Sequence, residues 1–254
     1  MKFSNLILIA GAKASGKGLI RGILDGHPEL FVSPFHELIL QSFSRDGYDQ
    51  NVLKQKDIQY VREILANKSK YYQLERFAFN KKWNVHFGSN QEDIIIDLNF
   101  DFYDFDRSWV SLLLSHETEW TPKLIMTLIY QEFSRCLLNS KTKKKYFCAL
   151  SDGFPGELKK FMKIYPNEKI IYIKRDPIEI VASLVTRKKN ENDYRSHWFS
   201  RDSLFNKYGN LDFVKSILLL DEEAKQLERQ YPNQILNLNF NKIFQTKYEL
   251  KNQL

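Results

Sequence analysis

The chain has 254 residues and a formal net charge of +7, with 43% hydrophobic, 14% aromatic and 27% charged residues. This length and apolar content are typical of a folded globule with a sizeable core, and they argue against a disordered chain. No apolar run reaches the ~18 residues that a membrane-spanning helix needs. The run at residues 6–10 is too short for a secretory signal, so we expect a cytoplasmic protein.

The net charge and the cysteines limit the classes of ligand that we expect the protein to bind. The basic balance favours anionic ligands. The sequence contains no zinc-finger spacing, no RNP-like aromatic motif and no arginine-rich tract, so we expect no nucleic acid partner. Cys136 and Cys148 stand among apolar residues and form no CxxC or Cys/His cluster. They are typical of buried thiols in a reducing compartment, and we expect no metal site.

Strands and helices alternate from the start of the chain. Residues 6–10 (LILIA) are an apolar run that predicts a buried strand, and a glycine-containing loop follows it. Leu19, Ile20, Ile23 and Leu24 then share one helical face. The sequence DGHP at residues 25–28 ends this helix, and residues 30–32 predict a second strand.

Residues 36–135 are predicted to be mostly helical. The clearest helical patterns are HELILQSF (36–43), DIQYVREILAN (57–67) and SWVSLLLSHE (108–117), whereas the β-branched run at 94–96 fits a strand or a helix. We expect one domain over residues 1–254, in which a largely helical segment at about 36–140 is an insertion that faces the substrate.

The second half of the chain repeats the alternation. Strands are predicted at 146–150, 169–174 and 235–240, and helices at 157–164, after Pro177 and at 211–231. The near-continuous apolar run KIIYIK is typical of a parallel strand that is buried on both faces. The sequence therefore predicts a three-layer α/β fold of the P-loop type, with a central, mostly parallel sheet flanked by helices.

The loop after the first strand carries the main functional signal. Residues 11–18 read GAKASGKG, which is the phosphate-binding P-loop pattern except that Gly18 stands where nucleoside-triphosphate enzymes have Ser or Thr. Backbone N–H groups at the start of the following helix would point at an anion. The predicted anion-binding residues are Lys13, Ala14, Ser15, Gly16, Lys17, Gly18 and Leu19.

The glycine at position 18 bears on the chemistry. In phosphoryl transfer the P-loop hydroxyl helps to coordinate magnesium, which neutralises developing charge. A transferring sulfonate carries one charge fewer than a phosphoryl group, so lysines and backbone amides can stabilise it without a metal. A second anion site is predicted at Arg175, which ends a strand, and Ser183, eight residues later on the next helix.

Two segments together resemble a known family. The loop with its continuation ILDGHPELFVSP, and the segment IIYIKRDPIEIVASL, resemble the two signatures of sulfotransferases that use 3′-phosphoadenosine 5′-phosphosulfate, and ILNLNFNKI resembles a late strand of that family. The resemblance covers about a third of the chain. It implies transfer of a sulfonate from this donor to a hydroxyl or amine, with release of adenosine 3′,5′-bisphosphate.

The resemblance also implies roles for single residues. Arg175 and Ser183 would hold the 3′-phosphate. Glu37 falls where family members often have the carboxylate that acts as general base, and His36 beside it is the alternative. Lys17 or Lys13 would stabilise the negative charge on the sulfonate and on the leaving phosphate, and the sequence leaves the choice between the two lysines open.

The chain departs from the family pattern in three places. Ala14 occupies the basic position before the Ser-Gly pair, with Lys13 one residue earlier, while Lys17 and Gly18 replace two threonines. The sequence SDG at 151–153 stands where Lys-Thr/Ser-Pro is often found. The late Glu-Asp pair of the family is replaced by Asn239 and Asn241.

Two other function classes fit the same loop. A small-molecule kinase that uses ATP and magnesium would need a metal-binding carboxylate at a strand end, for which Asp97 and Asp152 are candidates. A non-catalytic protein that binds a nucleotide or an anionic glycan is the other alternative. The acceptor (a carbohydrate, a peptide tyrosine, a lipid or a small alcohol) and the oligomeric state stay open.

Overall fold

The computed structural model of the chain describes residues 5–36, 50–68, 82–85, 94–97, 100–137, 144–189 and 203–243. The chain forms two compact units, one made by Asn5–His36 and Cys148–Leu254 and the other by Met1–Ser4 and Glu37–Phe147. In chain order the elements are β1 (Asn5–Gly11), α1 (Lys17–Leu24), β2 (Leu30–His36), α2 (Gln50–Lys54), α3 (Ile58–Lys68), β3 (Lys82–Val85), β4 (Ile94–Asp97), α4 (Phe102–Leu114), α5 (Pro122–Leu137), β5 (Tyr146–Asp152), α6 (Glu157–Ile164), β6 (Lys169–Lys174), α7 (Pro177–Lys189), α8 (Ser203–Gln230) and β7 (Ile235–Asn239).

A parallel sheet organises the unit that contains the glycine-rich loop. Within the described residues it has five strands in the order β2-β5-β1-β6-β7. Strand β6 pairs in parallel with β1 on one side and with β7 on the other, so that Ile171 lies opposite both Ile9 and Leu236. β1 and β6 are therefore interior strands, and β2 and β7 form the edges.

The interior strands are buried on both faces. On one face Ile9 and Ile173 pack against Ile20 of α1. The alternate residues of β6, Ile170 and Tyr172, are also buried, as expected for side chains that point to the opposite face. This two-sided burial explains the near-continuous apolar sequence of β6. The predicted α/β fold, with a parallel sheet flanked by helices, is confirmed.

The order of the strands locates the ligand edge of this sheet. From β1 the chain passes to β2, beyond β5 on one side, and later to β6 on the other side. Because the strands are parallel, their carboxyl ends share one edge, and ligands of such sheets bind where the strand order reverses. The loop at residues 11–18 leaves β1 at this edge, and Arg175 follows β6 there.

In its described residues, the second unit is helical with one antiparallel strand pair, β3–β4. Asp101 is the N-cap of α4, and its carboxylate accepts hydrogen bonds from the N–H groups of Tyr103 and Asp104. Phe105 of α4 packs against Phe133 of α5, with ring centroids 6.0 Å apart. In the described part of the chain, no helix is both long enough and apolar enough to cross a membrane.

Most predicted elements are confirmed, and two predictions are corrected. The ambiguous run at 94–96 is a strand. The predicted helix HELILQSF is wrong at its first residue, because His36 is the last residue of β2 and the rest of that sequence lies outside the described residues. Strand β2 passes through Pro34, which a strand at the edge of a sheet tolerates since one side needs no donors. The pattern at 108–117 overruns α4, which ends at Leu114.

Asp221 of α8 gives a pH-dependent prediction. Burial raises the pKa of its carboxyl above the ordinary value of 3.8, and the hydrogen bond from the Tyr172 hydroxyl offsets this rise only in part. A pKa raised in the folded state contributes stability at acid pH, and that contribution is lost as the pH rises through the folded pKa. We expect the free energy of unfolding of Asp221→Asn, minus that of the wild type, to increase with pH above 3.8.

Urea denaturation from about pH 4 to about pH 7 measures this difference. Asp212→Asn, at an exposed position on the same helix, controls for the change in net charge. A difference that is constant across this pH range would contradict the prediction.

Candidate anion-binding site

The loop between β1 and α1 has the backbone of a tight turn. Ser15 donates its N–H to the carbonyl of Ala12 at 3.0 Å. Ala14 has a φ of 63° and Gly16 a φ of 101°, so both lie in the left-handed region. Gly16 is the N-cap of α1 and has no side chain with which to cap it. The turn therefore delivers the first N–H groups of α1 without a capping oxygen in front of them.

Gly16 is also the point of closest approach in the site. A Cβ added at this position would lie 2.1 Å from Cε2 of Phe240, which follows β7. Real Cβ atoms do not come so near to another heavy atom. Two independent features thus require glycine at this position, the left-handed φ and the aromatic ring that lies against its Cα.

Lys17 is buried at the start of α1, with only 4% of the residue exposed. Its Nζ donates to the carbonyl oxygens of Gly11 at 2.9 Å and Ala12 at 2.7 Å. These carbonyls compensate for part of the water that the ammonium loses on burial. The side chain consequently ties the first turn of the helix back to the end of β1.

Ser15 is fully buried, and its Oγ has no hydrogen-bond partner within the described residues. Leaving a buried hydroxyl unpaired costs about 1–3 kcal/mol, which is why such atoms are rare away from ligands and ordered water. The N–H groups of Gly16 and Gly18 likewise have no protein acceptor in the described residues. The loop thus has donors that a ligand could use.

The end of β5 supports the loop from the neighbouring strand. The N–H of Gly153 donates to the carbonyl of Gly11 at 2.9 Å. The buried carboxylate of Glu157 holds this segment by accepting from Ser151 Oγ and from the N–H of Phe154, both at 2.9 Å. The SDG segment, where the chain departs from the family pattern, therefore has a structural role as a support of the loop.

Arg175 lies against the same loop. Its NH1 donates to the carbonyl of Ala14 at 3.1 Å, and its Nε donates to Glu179 Oε2 at 3.1 Å. The guanidinium carbon lies 4.6 Å from the centre of the Phe240 ring. About 20% of the arginine side chain is exposed. The structure thus brings together the loop and the arginine that the sequence placed in two separate anion-binding segments.

Of the other predicted site residues, some have described positions and two lie partly or wholly outside the described residues. Ser183 is half-buried on α7, and no hydrogen bond joins it to Arg175 in the described part of the chain. Lys13 is half-buried in the loop, while Gly18 and Leu19 are exposed at the start of α1. The side chain of His36 and the whole of Glu37 lie outside the described residues.

The kinase alternative requires metal-binding carboxylates at a strand end. The side chains of Asp97 and Asp152 also lie outside the described residues. In the residues that are described, no three His, Cys, Asp or Glu side chains are grouped so that they could hold a metal ion.

Three residues of the site were missed in the sequence. Glu179 is four residues after Arg175, a helical spacing at which opposite charges meet, and this signal was available. Asn241 donates to Glu179 Oε1 at 3.2 Å, and Phe240 packs on the loop. The sequence marked Asn241 only as a departure from the family pattern and gave Phe240 no role, because both reach the site only through the pairing of β7 with β6.

The chain shows little similarity to known proteins. Neither a protein-family profile nor a curated protein matches the sequence. Among solved structures, the chain is similar to a crystal structure of a sulfotransferase from Mycobacterium tuberculosis, with a TM-score of 0.37 and 12% sequence identity. The match covers 99% of this chain and 66% of the mycobacterial chain. The chain thus spans just under two thirds of that protein, and a likeness of this degree carries no argument about function.

Substitutions of the two loop glycines should have opposite effects on stability. Gly16→Ala introduces a Cβ at a left-handed φ and into the Phe240 ring, and we expect a loss of at least about 1–3 kcal/mol in the free energy of unfolding. Gly18→Ala is the matched control, because a Cβ there meets no atom within 4 Å. It should be neutral or stabilising by up to about 1 kcal/mol, since alanine favours the helix.

Chemical denaturation of the two variants beside the wild type measures both effects. Equal stability of the two alanine variants would show that Phe240 does not constrain the loop.

Proposed function

We propose that the protein is a sulfotransferase that transfers a sulfonate from 3′-phosphoadenosine 5′-phosphosulfate to a hydroxyl or amine without a metal ion. The observation that carries this proposal is the contact between two anion-binding elements. A P-loop with glycine in place of the metal-coordinating hydroxyl is hydrogen-bonded, at Ala14, to the guanidinium of Arg175. A ligand with two separated anionic groups fits this pair better than one with a single group.

The residues present fit the donor. The unpartnered, buried Oγ of Ser15 and the amides of Gly16 and Gly18 would face the phosphosulfate. Arg175 and Ser183 would hold the 3′-phosphate, with Arg175 supplying the planar fork of donors that suits phosphate oxygens. The segment that positions Arg175 is the turn between β6 and α7, at the ligand edge of the sheet.

The donor supplies an activated sulfonate whose leaving group is a phosphate. The acceptor oxygen or nitrogen attacks the sulfur, the bond from sulfur to the bridging oxygen breaks, and the acceptor proton passes to a base. We assign the base to Glu37, with His36 as the alternative, on the position of both residues in the sequence. Lys17, or Lys13 beside it, stabilises the charge that develops on the bridging oxygen.

Lys17 has a specific place in this proposal. Its Nζ is bonded to the neutral carbonyls of Gly11 and Ala12. This places an ammonium at the start of α1, where it would attract an anion held by the loop.

The cofactor prediction concerns binding without metal. Adenosine 3′,5′-bisphosphate should bind to the wild-type protein equally well in EDTA and in magnesium, because Gly18 stands where P-loop enzymes have the hydroxyl that coordinates the metal. Arg175→Ala should weaken this ligand by about 2–4 kcal/mol, the scale for removing one partner of a desolvated charge pair, and leave adenosine 5′-monophosphate nearly unaffected. Isothermal titration calorimetry measures both.

The same titrations separate the alternatives. Equal affinity for the bisphosphate and the monophosphate would contradict the 3′-phosphate site. Thermal stabilisation by ATP only in the presence of magnesium would favour the kinase, and stabilisation by polyanions alone would favour the binding protein.

Substitutions of Glu37 and of the two lysines should affect sulfonate transfer and donor affinity differently. Glu37→Gln should lower single-turnover sulfonate transfer by roughly 10²–10⁴-fold and leave donor affinity intact, as expected for loss of a positioned base. Lys17→Ala should lower both transfer and donor affinity, because it contacts charge in the ground state and in the transition state. Lys13→Ala should have the milder effect of the two lysine variants.

A panel of hydroxyl and amine acceptors with radiolabelled donor provides the assay. Wild-type transfer by Glu37→Gln would move the role of base to His36. A larger loss in Lys13→Ala than in Lys17→Ala would show that Lys13 is the lysine that acts on the sulfonate.

A further inference from the structure

A chain of side-chain contacts extends from the end of β7 to the phosphate loop. Asn241 Nδ2 donates to Glu179 Oε1 at 3.2 Å. The other oxygen of this carboxylate, Oε2, accepts from Arg175 Nε at 3.1 Å. Arg175 NH1 in turn donates to the carbonyl of Ala14 at 3.1 Å. Three separate segments of the chain thus fix the position of one guanidinium.

The ring of Phe240 lies against that guanidinium. The Arg175 Cζ lies 4.6 Å from the centre of the Phe240 ring, within the range of a cation–π contact. The ring is itself fixed, because its edge occupies the space beside Gly16 where a side chain would otherwise lie. Rotation of the guanidinium about its own axis would break the stacking or one of the two hydrogen bonds.

The fixed orientation leaves a defined set of donors. A guanidinium has five N–H groups. One N–H of Arg175 is used by Glu179 and another by the carbonyl of Ala14, and the others have no acceptor in the described residues. With about 20% of the side chain exposed, water reaches these remaining donors only in part. They are suited to an anionic group bound beside the loop.

Charge alone does not explain this arrangement. The carboxylate of Glu179 reduces the attraction of Arg175 for every anion, so it would be unfavourable if the arginine acted only as a positive charge. Glu179 is useful to binding if the direction of the remaining N–H donors matters more than the net charge. Donors that point in a fixed direction can bind a second phosphate at one position, and a nucleotide that lacks this phosphate gains nothing from them.

We propose that Phe240, Glu179 and Asn241 are positioning residues, which orient Arg175 so that the site selects a 3′,5′-bisphosphorylated nucleotide over a 5′-monophosphorylated one. This inference rests on the proposed function, which supplies the nucleotide as the ligand. It assigns no contact with the ligand to the three positioning residues, which act through Arg175. Asn241, which stands where the resembled family has an acidic residue, is in this view the donor that holds Glu179.

The test is the ratio of affinities for adenosine 3′,5′-bisphosphate and adenosine 5′-monophosphate, measured by calorimetry on the full chain. Phe240→Leu keeps an apolar side chain against Gly16 but removes the π face, and it should lower the ratio about 3- to 10-fold. Phe240→Tyr keeps the ring and should preserve the ratio. Because both ligands are titrated into one protein sample, a partly unfolded fraction cancels from the ratio.

Glu179→Ala separates positioning from charge. Removing the carboxylate should leave affinity for the monophosphate unchanged or tighter, because the site becomes more positive, while the ratio falls as in Phe240→Leu. A purely electrostatic role would instead tighten both ligands and preserve or raise the ratio, and a purely structural role would weaken both alike. Either of these results would overturn the inference.

The failure of the proposed function gives a different result. If the wild-type protein itself does not prefer the bisphosphate, the nucleotide assignment is wrong, and the positioning role falls with it. If the wild type prefers the bisphosphate and Arg175→Lys abolishes the preference, but Phe240→Leu and Glu179→Ala leave it intact, the proposed function stands and the positioning role is wrong.

Discussion

One buried ammonium joins the two ends of the loop between β1 and α1. Lys17 Nζ donates to the carbonyls of Gly11 and Ala12, and the carbonyl of Gly11 also accepts from the N–H of Gly153. These bonds join the end of β1, the start of α1 and the end of β5. A buried ammonium without such partners is strongly unfavourable. The turn brings its first two carbonyls to the lysine, and Gly16 within this turn has a left-handed φ of 101°.

Two cations meet at this loop, and they are held in different ways. Lys17 is solvated by neutral carbonyls, whereas Arg175 is bonded both to a carbonyl and to the carboxylate of Glu179. The carboxylate offsets part of the charge of the guanidinium, and together with the carbonyl of Ala14 it fixes the direction of this group.

The fold and the position of the loop were predictable because their signals are local. The apolar run of β1, the glycines and the amphipathic pattern of α1 are contiguous, and together they specify a strand, a turn and a helix start. The run KIIYIK likewise identified β6 as an interior strand. The helical pattern at His36 failed because periodicity alone does not show where a strand ends, and edge strand β2 continues through Pro34 to His36.

The sequence by itself determined the elements, the glycine-containing loop between β1 and α1, and the positions of Lys17 and Arg175 at the ends of these elements, since each is encoded by neighbouring residues. Only the tertiary structure decided that Arg175 lies on the loop, 161 positions away from Ala14 in the chain. It also decided that Phe240 and Asn241 complete the surroundings of that arginine. The order of the strands decides such contacts, because β6 pairs with both β1 and β7 and so brings the residues that follow these strands to one edge of the sheet. No local pattern in the sequence encodes that order.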